Sequence, residues 1–376
     1  MYKALANHQI KFLAAASALV LIWFFYLHGL PGDGYLSGFP NLQSGAVPKT
    51  HHGAGGIEGL HPDVLDLDAA QQLCSNFRLP AFPRDRVRER KVYDLLLINT
   101  EIELLEIRLG QMAPYIDYFI ILESDRTFTD KQKPLYVEEN WDLFKPYHKQ
   151  MIRRTMDLTT GDFQNAWNRE SASRNAMFSQ VVPFLTGDQE AHEDDVLLVS
   201  DVDELFKPAT VQVLRNCNAP QRVTASSKLM YYSYQWLSNA NWDHPQATVY
   251  RGEKGKDTVL PDDLRHNAGD YKFFEGAWHC SYCFSTIKEL AGKITSFSHT
   301  EMDKPEFKDP KRVLERVRNG IDAFDRANCT RVEHNRDVPD FLLANSEKYA
   351  YMLDRDPPNA NFRDIDASKG IDSTTA

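Results

Sequence analysis

No block of five or six like charges occurs in the 376 residues, so an acidic or basic tail is not expected. Positive charge is in short supply: 43 Lys and Arg stand against 53 Asp and Glu, a formal charge of −10. Phosphate binding along a nucleic acid needs a basic face, so no nucleic-acid partner is expected. No internal repeat is visible, which sets repeat architectures aside. Cysteine is scarce. Cys74, Cys217, Cys280, Cys283 and Cys329 are an odd number, which leaves at least one thiol unpaired or paired between chains. What is plentiful is apolar: 42% hydrophobic and 11% aromatic residues, enough for a sizeable core in one large domain or two modest ones.

Residues 1–9 read as a cytoplasmic tail and 10–30 as a transmembrane signal anchor. Ile10 to Leu30 carries only Lys11 and His28 as polar interruptions. At 1.5 Å per residue such a run spans a hydrocarbon core of about 30 Å. Lys3, His8 and Lys11 lie on its N-terminal side and the first acid is Asp33. That asymmetry puts the bulk of the chain in the lumen. The competing reading is a cleaved signal peptide, but the run is long for one and exits through "HGLPGDGY" without an A-x-A pattern. A short, Phe-rich span suits early secretory membranes, so the expectation is membrane contact through residues 10–30 in a single-pass type II arrangement. In a lumen disulfides are permitted, with Cys74, Cys217, Cys280 and Cys283 as candidates. Asn328-Cys329-Thr330 matches the glycosylation sequon at Asn328.

Residues 31–85 are rich in Gly, Pro, His and Asp, keep no helix or strand period, and read as a flexible lumenal stem. Residues 86–353 form the expected catalytic domain, and 354–376 a polar, disordered tail. Val92–Ile98, Ile116–Glu123, 151–158 and Val196–Ser200 read as strands. Residues 101–112, Gln164–Phe184 and Pro208–Cys217 between and after them read as helices. Strands alternating with helices indicate an α/β fold with a mainly parallel, buried sheet. After about residue 222 the pattern turns β-rich, and Ser285–Phe297 and Pro310–Phe324 then look helical.

The stretch "DDVLLVSDVDEL" ends an apolar strand with Asp201, Asp203 and Glu204 within four positions. In open α/β sheets ligands bind beyond the carboxyl ends of strands. Adjacent carboxylates raise one another's pKa unless a cation neutralises them, and hard oxygen ligands suit Mg²⁺ or Mn²⁺. Such an ion would clamp a diphosphate. The plainer alternative is a solvated turn whose Asp side chains cap the next helix. An aspartyl phosphotransferase uses similar geometry, but its motif opens the domain, whereas here it lies about 100 residues in and Glu204 follows.

A second constellation is "GAWHCSYCF", residues 276–284. Cys280 and Cys283 read as a local bridge or as members of separate bridges. A Cys₂His₂ zinc site with His279 and His299 has unusual spacing. Trp278 and Tyr282 are candidates for a sugar-stacking platform, against a buried aromatic core. Glu170 and Arg174 are one helical turn apart and read either as a surface pair or, for Arg174, as a diphosphate contact. Lys133 is a similar candidate.

Five stretches together resemble glycosyltransferase family 17, the bisecting N-acetylglucosaminyltransferases: 99–109 "NTEIELLEIRL", 116–135 with "IDYFIILES" and "KPL", 194–204, 276–284, and 297–301 "FSHTE". The resemblance covers about residues 90–350. It implies a GT-A-like nucleotide-sugar-binding fold and a type II Golgi enzyme. It also implies transfer of N-acetylglucosamine from UDP-GlcNAc to the β-linked core mannose of an N-glycan or glycoprotein, in a β-1,4 linkage with inversion. The alternative function is a non-catalytic glycan-binding relative. By the resemblance Asp203 is the primary metal ligand, and Asp201 helps through the metal or the donor ribose. His279 or His299 completes the coordination, Glu204 or Glu275 is the base, and Glu123 and Arg174 touch the donor. Acceptor choice is expected in segment 235–275, onto which no family residue transfers.

Overall fold

The computed structural model describes residues 63–366, apart from 88–89, 268 and 270. The described chain opens with α1 (Leu67–Asn76), whose Asp66 N-cap accepts a hydrogen bond from the Ala69 amide. Four strands follow: β1 (Val92–Leu97), β2 (Tyr118–Glu123), β3 (Met151–Thr155) and β4 (Val196–Asp201). β1 lies between β2 and β4, parallel to both, and β3 extends the parallel set beside β2. Every residue of β1 is buried, as expected where helices cover a parallel sheet. The crossovers carry α2 (Ile102–Met112) and α3 (Ala166–Ser179). Asn165 caps α3 by accepting from the Asn168 amide. Leu95, Ile120, Leu197, Met177 and Phe178 share one apolar core.

The second half is built differently. Its strands are β5 (Glu204–Phe206), β6 (Val223–Tyr231), β7 (Trp236–Trp242), β8 (Gln246–Val249), β9 (Tyr271–Ser281) and β10 (Thr330–Arg331). Its helices are α4 (Pro208–Asn216), α5 (Pro261–His266), α6 (Ile287–Ser296) and α7 (Pro310–Asn319). Thr286 and Glu289 form a reciprocal capping box at the start of α6. Gly320, in the left-handed region, ends α7.

The expectation of a mainly parallel sheet is corrected here. Four strand pairings are parallel (β1–β2, β1–β4, β2–β3, β6–β9), but five are antiparallel (β4–β8, β5–β9, β6–β7, β6–β8, β7–β10). The sheet is mixed. Its cause is the short links after β6: β6 and β7 are joined by four residues, too few for the crossover that a parallel neighbour needs. The anchor expected over residues 10–30 lies outside the described residues, and no described helix is long and apolar enough to cross a membrane.

The packed unit also extends past both expected limits. α1 falls in the stretch read as stem, and its buried Cys74 is disulfide-bonded to Cys217. At the other end Arg355, fully buried, donates to the carbonyls of Tyr232, Phe284 and Ala360, and Phe362 is buried against the same core. A polar composition hid these anchors. Cys280 pairs with Cys283, and Cys329 is unpaired.

Candidate active site

The acidic turn is held from below by a charge inside the parallel core. Asp94, in the middle of β1, and Arg108 on α2 are each about 1% exposed. Arg108 donates to both Asp94 carboxylate oxygens at 2.7 and 2.6 Å and to Ser200 Oγ at 2.5 Å. Its remaining nitrogen donates to the carbonyls of Asp201 and Glu204, at 3.1 and 2.8 Å. A buried unpaired charge would be costly, so this closed network locks the backbone of the turn.

With the turn fixed, its three carboxylates meet three cations from three helices. Arg174 (α3) donates to Asp201 Oδ1 at 2.8 Å, and Arg265 (α5) donates to Asp201 Oδ2 at 3.0 Å. Arg265 also forks onto Glu204 at 2.5 and 2.8 Å. Trp242 Nε1 adds a bond to Glu204 Oε1 at 2.7 Å. Lys293 (α6) sits 2.6 Å from Asp203 Oδ2 and 3.4 Å from Glu101 Oε1. The mutual repulsion of the acids is therefore answered within the protein.

The electrostatics follow from this pairing. Burial opposes charge on Glu204, but Arg265 outweighs it and holds the carboxyl well below the usual carboxylate range. Burial likewise opposes charge on Asp201, which Arg174 and Arg265 keep below its ordinary value. Lys293 is raised above its ordinary value, because Asp203 and Glu101 more than offset its burial. His279, fully desolvated, is pushed down despite Asp203 and Glu204 nearby, which keeps its ring neutral at neutral pH.

These groups line an open cleft of about 550 Å³ at the carboxyl ends of β1 and β4. A family model described as glycosyltransferase family 17 matches residues 69–357. The chain belongs to glycosyltransferase family 17. The resemblance read from the five motifs is thereby borne out. Curated proteins similar to this chain include the human beta-1,4-mannosyl-glycoprotein 4-beta-N-acetylglucosaminyltransferase, 22% identical over 309 residues, with 70% of this chain and 55% of the relative covered. The rat protein of the same name is 23% identical over 300 residues, with the same coverage. The chain thus spans about half the length of the curated relatives it matches. Among solved structures the inositol-1-phosphate CTP transferase from T. maritima aligns with 55% of this chain and 96% of its own at a TM-score of 0.30 and 11% identity, a likeness too slight to bear on fold or chemistry.

Within the family 17 region the expected site residues divide into three groups. Asp201, Asp203, Glu204, His279, Arg174, Tyr282 and His299 all line the cleft. Arg174 is 1% exposed and its fork is taken up by Asp201 and Glu170, so it orients the cluster and has no free edge for a diphosphate. Glu204, fully buried with both oxygens occupied, is not placed to accept a proton from a substrate. His299 Nδ1 is 2.9 Å from Glu301 Oε1, a contact that orients its ring on the cleft. Glu123 and Lys133 line a small neighbouring cavity that shares Leu97, Ile98 and Asn99 with the cleft. There Glu123 caps Val137 and Glu138 and pairs with Arg153, while burial lowers the Lys133 ammonium.

The third group lies elsewhere. Glu275 is exposed and paired with Lys228 at 2.9 Å. Trp278 donates to Asp337 at 2.8 Å beneath Lys207. Successive residues of a strand face opposite ways, so placing His279 and Ser281 on the cleft turns Trp278 from it. Asn328 is exposed at a bridge to Ile321. Arg265, Trp242 and Lys293 were missed. Each reaches the acids across 38 to 90 residues of chain, and nothing in its own neighbourhood marks it.

The donor set for a divalent ion is limited. Among the described residues no group of three or more His, Cys, Asp or Glu converges as metal ligands. Asp203 is the carboxylate with a single protein partner, His279 Nε2 is 3.9 Å from it, and His279 Nδ1 is buried with no partner. That suits Mg²⁺ or Mn²⁺, which are commonly held by one or two carboxylates together with substrate phosphates, and not a closed protein cage.

Proposed function

We propose that this chain transfers N-acetylglucosamine from UDP-GlcNAc to the β-linked core mannose of N-glycans, forming a β-1,4 bond with inversion. The observation that carries it is the acid–base cluster of β4, exposed to a large cleft within a family 17 chain. The relatives' printed name supplies the linkage and the acceptor. The acceptor hydroxyl oxygen attacks the anomeric carbon as the bond to UDP breaks; UDP leaves with the bonding electrons, and the hydroxyl proton passes to water in the open cleft. Negative charge grows on the departing diphosphate. Lys293 and Arg326 line the cleft and can face that charge. Asp203, with His279 beside it, would hold Mn²⁺ or Mg²⁺ against the donor's phosphates, and the ion would neutralise the leaving group. Arg174 and Arg265 keep Asp201 ionised and oriented. The two disulfides support an oxidising secretory lumen, such as the Golgi, as the working compartment.

The test is UDP release by the purified protein given UDP-GlcNAc, Mn²⁺ and a core N-glycan, with product linkage read by NMR. Asp203→Asn should lower turnover by about 100-fold or more. EDTA should abolish turnover and Mn²⁺ restore it. A near-normal rate in the variant would remove Asp203 from the chemistry. Failure of every nucleotide sugar to yield transfer would overturn the reading.

A further inference from the structure

The rim of the cleft carries a second feature that the acid–base cluster does not use. Trp167 is 43% exposed, one of few large apolar side chains so placed, and it lines the cleft. It sits in the first turn of α3. Glu170 and Arg174 follow at three and seven residues, so all three share one helix face and all three line the cleft. The chain of contacts from the rim to the acids is short: Glu170 binds Arg174, and Arg174 binds Asp201.

A second segment meets the indole. The chain leaving α6 passes the start of α3, and Ser298 Oγ donates to the Ala166 carbonyl at 3.4 Å. The next residue, His299, stands edge-on to Trp167 with ring centroids 4.7 Å apart and planes at 86°. Its Nδ1 is hydrogen-bonded to Glu301 at 2.9 Å, and the Phe297 ring also packs against it, with centroids 5.5 Å apart. Three contacts thus orient the imidazole. Its Nε2 has no hydrogen-bond partner among the described residues, although the ring lines the cleft.

An aromatic face beside fixed hydrogen-bonding groups matches a pyranose, which has an apolar C–H face and a polar hydroxyl edge. We propose that Trp167 is the stacking platform for the acceptor sugar, with His299, oriented by Glu301, hydrogen-bonding its hydroxyls. This rests on the transferase reading and adds the acceptor subsite to it. The buried acids and Arg174 account for the inner cleft. The rim is where a large glycan, unlike the small donor, has room to enter.

The test has two arms. In the first, a mannose-bearing core N-glycan is titrated into the purified full chain without donor, and binding is read by calorimetry. Trp167→Ala should weaken binding by about tenfold, equivalent to about 1.4 kcal/mol, and Trp167→Tyr should recover most of it. In the second arm, Trp167→Ala should raise the acceptor KM by a similar factor and leave the donor KM within about twofold. His299→Gln should raise the acceptor KM with unchanged thermal stability. A raised donor KM with an unchanged acceptor KM would overturn the assignment, as would unchanged glycan affinity in Trp167→Ala. Glycan binding through Trp167 without sugar transfer would support the subsite and sink the transferase reading alone.

Discussion

Two arginines, one under the sheet and one in the cleft, do similar chemistry to different ends. Arg108 closes on Asp94, 14 residues away, with both groups about 1% exposed. Arg265 closes on Asp201 and Glu204 from a helix beyond three further strands, and Asp201 remains about a third exposed. The first network is sealed and serves the fold: it pins the carbonyls of the acidic turn. The second is open on one side and can exchange its partners for a substrate. The parallel half of the molecule thus presents the acids, and two of the three cations that balance them, Arg265 and Lys293, come from the second half.

Removing Arg108 should have the largest effect. Arg108→Met leaves Asp94 buried without a cation, and urea denaturation should show a loss of about 3–5 kcal/mol. The double change Asp94→Leu with Arg108→Met should return part of it. A loss under about 1 kcal/mol would mean that the pair is not the fastener described here.

Arg265→Met should cost less, about 2–4 kcal/mol, because Asp201 keeps Arg174 and some solvent. It should also reverse the sign of the pH dependence. In the parent chain Asp201 and Glu204 have depressed folded-state pKa values. Their stabilisation is therefore present above the unfolded carboxylate range, about pH 4, and is lost as pH falls through the folded values. Without Arg265, burial dominates at Glu204 and raises its pKa, so stability should fall as pH rises from about 4 to 7. Stability measured across that range separates the two slopes. Parallel slopes would show that Arg265 does not control Glu204.

Glu275→Gln marks the small end of the scale. Its pair with Lys228 is exposed on both sides, so the change in stability should stay within about 0.5 kcal/mol. The transfer rate should stay within about twofold, since Glu275 lies off the cleft. A large drop in kcat would return Glu275 to the chemistry.

Much of the first half was legible because its signals are local. β1, β2 and β4 follow from short apolar runs, and α2 from its helical period. The acidic turn stood out because three carboxylates within four residues need compensation. The direction of strand pairing in the second half was not legible, since a β-rich stretch after residue 222 reads the same whichever way its strands pair. Trp278 illustrates the same limit at the scale of one residue. "WHC" places an indole, an imidazole and a thiol side by side, and only the pairing of β9 with β5 and β6 decides which faces inward. Trp167 has an ordinary helical context, and its significance comes from His299, more than a hundred residues later.

The sequence by itself determined that acids gather at the end of an apolar strand, that an α/β unit carries them, and that family 17 is the chain's family. Those are properties of neighbouring residues, where spacing alone sets which side chains share a face or a turn. The tertiary structure decided which cations meet the acids, which aromatic ring borders the cleft, and that Glu204 is sealed while Asp201 stays about a third exposed. Each of those depends on contacts between segments far apart in the chain. Charge compensation acts over a few ångströms of space, however many residues separate the partners.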